Sequence, residues 1–401
     1  MARFAPRLLE LSTAEHAARE LRRMAVDSCG ITLMVPKMRT LCIQLLQLEC
    51  RQANVLKQEM LSLGGDAAVA RGTVACSIDK TDCLLIGTAK QLTRLCRKLK
   101  AQPFALSELA AELEKLLSQI VSPPAAWKTS RRTLSLERPL IMGILNVTPD
   151  SFSDGGRCSD PDRAFDQALQ MEAEGADIID IGGESTRPGA APVSADEEKS
   201  RIVPVIERLA GRLRCAISVD TWKSAVADEA LAAGAEIIND ISGFHFDPRM
   251  AVLAAASGAG VVLMHTRGTP DKMQQNTVYD DLMAEISASL HASLDLAHEA
   301  GVSDSCIAID PGIGFGKDAA GNLELIRRMA ELSSFGLPIL SGPSRKSFIG
   351  KVLGRERMDE RLFGTAAAVA LSVSHGASIL RVHDVRAMRD VADMAHAVMQ
   401  S

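Results

Sequence analysis

Beyond residue 138 the chain alternates short apolar runs with longer amphipathic ones. Eight runs rich in Ile, Val and Leu stop abruptly at polar residues: PLIMGILNV (139–147), DIIDIGG (177–183), AISVDT (216–221), IINDIS (237–242), VVLMHT (261–266), IAIDPGI (307–313), PILSGPS (338–344) and ILRVHD (379–384). Near-continuous apolarity over so few positions marks strands covered on both faces. Residues 162–174, 195–213, 223–233, 248–257, 279–300, 323–332 and 361–375 read as helices between them, and 385–399 follows the last strand. Eight strand–helix units in about 270 residues predict an α/β fold, a (β/α)8 TIM barrel.

The polar residues fall at the C-terminal strand ends: Asn146, Glu184, Asp220, Asn239, His265, Asp310, Ser344 and His383. That is the face on which such barrels carry their chemistry. A doubly wound open sheet is the alternative, but it would gather ligand groups at one crevice rather than on every strand.

The richest stretch is 141–156, IMGILNVTPDSFSDGG, where a buried strand runs into a dense polar loop. With GADIIDIGGESTRPGA, ISVDT, AEIINDISG, DPGIGFGK, SGPSRKSFIG and GTAAAVALSVSHGASILRVHD, it resembles the dihydropteroate synthase family over nearly every barrel strand and loop. The resemblance implies condensation of 6-hydroxymethyl-7,8-dihydropterin pyrophosphate with p-aminobenzoate, assisted by magnesium, in folate biosynthesis. It implies a pterin site of Asp220, Asn239, Asp310, Lys346, Arg381 and Met264, with Lys346, Arg381, His383 and Asp310 in the catalytic roles. Asn146, Arg381 and His383 would take the pyrophosphate, with Asn146 also at the magnesium. Phe152, Thr186, Arg187, Pro188, Phe315 and Ser344 would form the aminobenzoate pocket, which sulfonamides would occupy in its place.

These residue types suit that chemistry. A flat ring edged with donors and acceptors needs carboxylates and carboxamides in a buried site, where unpaired polar groups are costly. A planar guanidinium stacks on the ring face. Arg381 and His383, two apart on a strand, share a face and can reach one leaving group. The bland readings are a helix cap for each strand-end Asp, solvated charges for Lys346 and Arg381, and packing or turn roles for Phe315 and Ser344. Motif context favours function for the first four. His265 reads as a core or rim histidine, and the histidines at 245, 291, 298, 375 and 396 join no constellation.

Other chemistries fall away. SGPSRKS lacks the P-loop spacing, GIGFGK is not G-x-G-x-x-G, and no H-E-x-x-H or paired C-x-x-C is present. A net charge of −5, interspersed signs and 3% aromatic residues argue against nucleic acid. No apolar run is long enough to span a bilayer. Nine cysteines at irregular spacing suit reduced thiols in a cytoplasm, and MARFAPRLLELS lacks the apolar core of a secretory signal.

Residues 1–120 read as a small α+β domain, 121–136 as a linker beginning VSPPAA, and 137–401 as the barrel. In the first part, 12–24 (capped by Ser12), 49–63, 89–99 and 106–120 read as helices, and 40–48, 66–76 and 82–87 as strands. This extension, absent from the family's minimal form, carries no acidic metal pair and suggests an interaction, oligomerisation or stabilising role. Resemblance further implies a homodimer through barrel helices. Two other functions compete: a methyltetrahydrofolate methyltransferase-like barrel, and a non-catalytic pterin-binding or regulatory protein. The first leaves NVTPDSFSDGG (146–156), SRKSF and RVHD unexplained; the second predicts gaps among the polar strand ends, and there are none.

Overall fold

Alternation at Thr81, Cys83, Leu85 and Gly87 buries one face of a strand near the N-terminus. It belongs to the first of two compact units, Met1–Val121 and Ser122–Ser401, in a computed structural model that describes residues 6–11, 13–148, 161–185, 193–270 and 272–401. Strands β1 (Thr40–Glu49), β2 (Asp66–Val69) and β3 (Lys80–Thr88) form an antiparallel sheet in the order β1-β3-β2. Helices α1 (Ala14–Arg23), α2 (Ser28–Met34), α3 (Cys50–Ser62), α4 (Ala89–Leu99) and α5 (Leu106–Val121) accompany it. Leu56 and Met60 of α3, Leu92 and Leu95 of α4, and Leu113 of α5 pack with Leu85 in one core. Three expectations change. Ser12 lies outside the described residues, and Thr13 caps α1 by accepting from the His16 N–H. The strand expected over 66–76 stops at Val69, because the chain turns through Gly72 and Cys76, both at positive φ. Helix α2, capped by Asp27, was not anticipated.

The expected linker is instead part of the second unit. Residues 126–135 form a hairpin of β4 (Ala126–Lys128) and β5 (Thr133–Ser135). Its Trp127 is wholly buried, and the indole N–H donates to the Cys306 carbonyl at 2.8 Å.

Eight parallel strands follow: β6 (Leu140–Asn146), β7 (Ile178–Gly182), β8 (Ala216–Asp220), β9 (Ile237–Asp240), β10 (Gly260–Met264), β11 (Ile307–Asp310), β12 (Leu340–Ser341) and β13 (Ile379–Val382). They pair in the order β11-β10-β9-β8-β7-β6-β13-β12. A parallel bridge from Ile309 to Ile339 joins the two ends. The sheet is therefore a closed barrel, and the open-sheet alternative falls. Around it run α6 (Pro161–Ala173), α7 (Ala195–Leu209), α8 (Ser224–Ala233), α9 (Met250–Ser257), α10 (Leu282–Ala300), α11 (Ala319–Arg328), α12 (Ser347–Leu353), α13 (Leu362–Ser374) and α14 (Val385–Gln400). Outward strand residues such as Ile141, Ile179, Ile217, Ile238 and Ile309 pack on these helices.

The strand period of two sorts the interior into layers. Met142, Ile178, Ala216, Ile237, Val262, Ala308, Leu340 and Ile379 make an apolar floor with Trp127 packed against it. Two residues further along several strands the interior turns polar, at Asp180, Ser218, Asn239, Asp310 and Arg381. Two further still come Asp220 and His383, at the mouth.

Candidate active site

The site begins where the apolar floor ends. On β13, Arg381 reaches across the barrel: its Nε donates to Asp180 Oδ2 at 2.6 Å and a terminal nitrogen donates to Asp220 Oδ2 at 2.5 Å. Asn239 donates its amide to the same Asp180 oxygen at 3.0 Å. The other oxygens, Asp180 Oδ1 and Asp220 Oδ1, are buried with no hydrogen-bond partner among the described residues. Buried acceptors without partners are costly, so these atoms suit a ligand that brings its own N–H groups. Burial pushes the Asp220 carboxyl up against the opposing pull of Arg381.

Asp310, at the end of β11, accepts the Gly312 N–H on Oδ1 at 2.7 Å. Burial raises its pKa to about 6, although the Gly312 bond and the nearby Lys346, Lys317 and Arg381 cations oppose this. Lys346, N-terminal to α12, holds its ammonium 4.0 Å from the centre of the Phe315 ring, a cation–π contact. Desolvation and Arg381 bring its pKa down to about 8 despite Asp310 and Asp220. Gly314 lies so close that a β-carbon there would stand 2.7 Å from Lys346 Cδ.

At the mouth, Ser344 Oγ accepts the His383 backbone N–H at 3.1 Å and lies 2.9 Å from His383 Nδ1, to which its hydroxyl can donate. Burial, with Arg381 beside it, lowers the His383 pKa to about 3, so the ring is neutral. A cavity of about 310 Å³ opens here, lined by Asn146, Asp220, Phe315, Ser344, Lys346, Arg381 and His383 among others. The structure thus gathers the polar residues expected from sequence, with Asn239 and Asp310 in the polar layer. Met264 is buried with Ile241, Met273 and Phe315, a wall behind the Phe315 ring. Phe152, Thr186, Arg187 and Pro188 lie outside the described residues.

Sequence reading missed several participants. Asp180 was passed over because it lies two residues short of its strand end, although the strand period puts it on the interior face beneath Gly182. Arg345 and Arg361 also line the cavity. Arg345 Nε donates to Asp384 at 3.0 Å, and Arg361 donates to the Arg345 carbonyl at 3.0 Å. They add to a basic rim over the acidic layer. For Arg345 the signal was SRKSF, read at its serine and lysine; Arg361 lies outside any motif the sequence singled out.

No group of three or more His, Cys, Asp or Glu among the described residues could hold a metal. Magnesium does not require one. It keeps several waters and takes one or two protein oxygens plus substrate phosphates. The Asn146 carboxamide, at a strand end and on the cavity wall, fits that pattern.

A family described as pterin binding enzyme matches residues 142–383, which defines the class of the barrel. The chain is 48% identical to dihydropteroate synthase of Synechocystis sp. over 262 residues, 65% of this chain and 91% of that protein. Dihydropteroate synthase of Xanthomonas albilineans, solved in complex with 7,8-dihydropteroate, superposes with a TM-score of 0.63 at 40% identity, covering 69% of this chain and 99% of that one. The chain belongs to the dihydropteroate synthase family of pterin-binding enzymes. A probable bifunctional folylpolyglutamate synthase/dihydropteroate synthase of Halobacterium salinarum is 45% identical over 339 residues, 84% of this chain but 40% of that protein. That span exceeds the whole of Ser122–Ser401, so the likeness reaches back into the first unit.

Proposed function

We propose that this chain condenses 6-hydroxymethyl-7,8-dihydropterin pyrophosphate with p-aminobenzoate, giving 7,8-dihydropteroate and pyrophosphate in folate biosynthesis. The observation that carries this reading is one cavity with carboxylates and a carboxamide below and cations around its rim. Asp310 and Asn239 pair with the amino-pyrimidine edge, and Asp220 with the other ring. Lys346 donates to ring acceptors, and Arg381 lies over the ring face while holding Asp180 and Asp220.

The reaction is substitution at the methylene. The carbon–oxygen bond to pyrophosphate breaks, the electron-rich pterin stabilises the cation-like carbon, and the aniline nitrogen attacks it and then loses a proton. No covalent nucleophile is needed. The chain's task is to neutralise departing charge, exclude water and position the amine. Arg381 and His383 meet the leaving pyrophosphate, His383 as a neutral donor from Nε2 while Nδ1 accepts from Ser344. Asn146 would hold a magnesium ion, which supplies charge neutralisation on the phosphates when bound. Phe315 and Ser344 border the aminobenzoate, with Phe152, Thr186, Arg187 and Pro188 completing its pocket.

Purified protein supplied with both substrates and magnesium, each omitted in turn, tests this. Dihydropteroate and pyrophosphate should appear only with all three. The methyltransferase alternative has no pyrophosphate for the cations that line the cavity, Arg345, Lys346, Arg361 and Arg381, to neutralise.

Two further properties belong to the proposal. Phe363 and Leu371 on α13, with Met394 and Val398 on α14, are exposed apolar side chains and support a homodimer through these helices. Phe363→Asp should shift the sedimentation coefficient to that of a monomer. All eight described cysteines are free thiols, which supports a cytoplasmic setting. No helix among the described residues is long and apolar enough to cross a membrane.

A further inference from the structure

Lys317 follows the glycine-rich loop after β11, and its side chain turns back into the protein until the residue is 3% exposed. A buried ammonium is costly and is almost always paired with a carboxylate. Here its hydrogen bonds go elsewhere. Nζ donates to the Gly312 carbonyl at 2.9 Å, to the Phe315 carbonyl at 2.9 Å and to His265 Nδ1 at 2.9 Å. Three N–H groups meet three acceptors, and none remains for a ligand. With Lys317 charged, His265 accepts on Nδ1 and carries its proton on Nε2. The loop is pressed against the same histidine, for a β-carbon on Gly312 would stand 1.9 Å from the His265 carbonyl oxygen.

We infer that Lys317 and His265 are positioning residues of the pterin site, a clamp that fixes the loop between Asp310 and Phe315. Gly312, held through its carbonyl by Lys317, presents its N–H to Asp310 Oδ1 and leaves the second carboxylate oxygen for the ring edge. Phe315, held in the same way, stays beneath the Lys346 ammonium. One ammonium thus sets the position of an acceptor and a donor for the same ring. The inference rests on the pterin reading above and assigns to it two residues with no contact to the ligand.

The test is calorimetric binding of 6-hydroxymethylpterin, a readout independent of turnover, alongside steady-state kinetics. Lys317→Met should weaken pterin binding about ten- to hundredfold, the scale of losing reacting geometry by about an ångström. It should raise KM for the pterin pyrophosphate more than it lowers kcat. His265→Leu should weaken binding in the same direction, and His265→Asn, whose Oδ1 can stand where Nδ1 stands, should recover most of the affinity. Folded Lys317→Met and His265→Leu that bind pterin as tightly as wild type would overturn the inference and leave the pterin reading intact. If Lys317→Met fails to fold, the His265 pair decides: equal affinity in Leu and Asn overturns it. Wild-type protein that binds no pterin would remove the site reading itself and this inference with it.

Discussion

Asp180 holds Arg381 by a single oxygen, which accepts Nε at 2.6 Å while the Asn239 amide reaches the same atom at 3.0 Å. The carboxylate therefore aims a guanidinium and fixes the Asn239 amide with its nitrogen toward Asp180. Asp180→Asn keeps the shape and removes the charge. It should lower kcat/KM about 10²-fold, the scale of misplacing one reacting group by about an ångström once the charge that aims Arg381 is gone. Kinetics on the folded variant check this; a change under threefold would deny Asp180 that task.

Lys346→Ala and Asp310→Ala should each cut turnover on the order of 10²–10³-fold, the usual cost of one preorganised donor or acceptor. Far-ultraviolet circular dichroism should remain that of the wild type. Wild-type rates in both folded variants would sink the assignment.

The site should work over a bell-shaped pH range. Asp310 must be ionised to accept from the ring and Lys346 charged to donate. Log kcat/KM should then fall on the acid side near pH 6 and on the alkaline side near pH 8, the values of the free protein. Stability follows the opposite signs. The Asp310 pKa is raised on folding, so its contribution is full below about pH 4, the unfolded value, and is lost as pH rises through about 6. The Lys346 pKa is lowered, so its contribution is present above about pH 10.4 and lost as pH falls through about 8. Near neutrality the empty site opposes folding on both counts. A bound pterin should therefore raise Tm most there, measurable by scanning with and without ligand.

A chain beginning at Ser122 should keep both fold and turnover, since the second unit is compact by itself. One beginning at Glu137 loses the hairpin and Trp127, and its melting temperature should fall steeply. In the full chain, Trp127→Ala should cost about 3–5 kcal/mol, whereas Trp127→Phe should lose mainly the bond to Cys306, about 1 kcal/mol. Denaturant titration separates the two.

An aryl sulfonamide should inhibit competitively with p-aminobenzoate and not with the pterin pyrophosphate. Raising aminobenzoate should restore the rate; inhibition insensitive to it would place the drug elsewhere.

Much of this was legible in the chain itself because barrel strands are short, apolar and end in functional residues. Asn146, Asp220, Asp310 and His383 announce themselves by polarity after an apolar run. What escaped reading lies where that contrast fails. Asp180 is a charge inside a strand, and only the interior layering explains it. Trp127 looked like linker because its partners, such as Ile178 and Ala308, are remote in sequence. Lys317 carries no mark of burial in the sequence, and its burial depends on three acceptors, two of them carbonyls of the glycine-rich loop. Helix α2 showed no clear periodicity.

With Trp127 packed against the floor, the barrel interior opens, among the described residues, through the cavity at the C-terminal strand ends. On the proposed reading, recognition of the bicyclic ring lies deeper in that well than the pocket for the aryl amine, so whatever arrives second would stand above whatever arrived first. Traffic would then run in sequence: the pterin would enter before the amine, the joined product would leave by the path on which its halves came, and an amine-like molecule lodged at the doorway would trap the lower occupant beneath it.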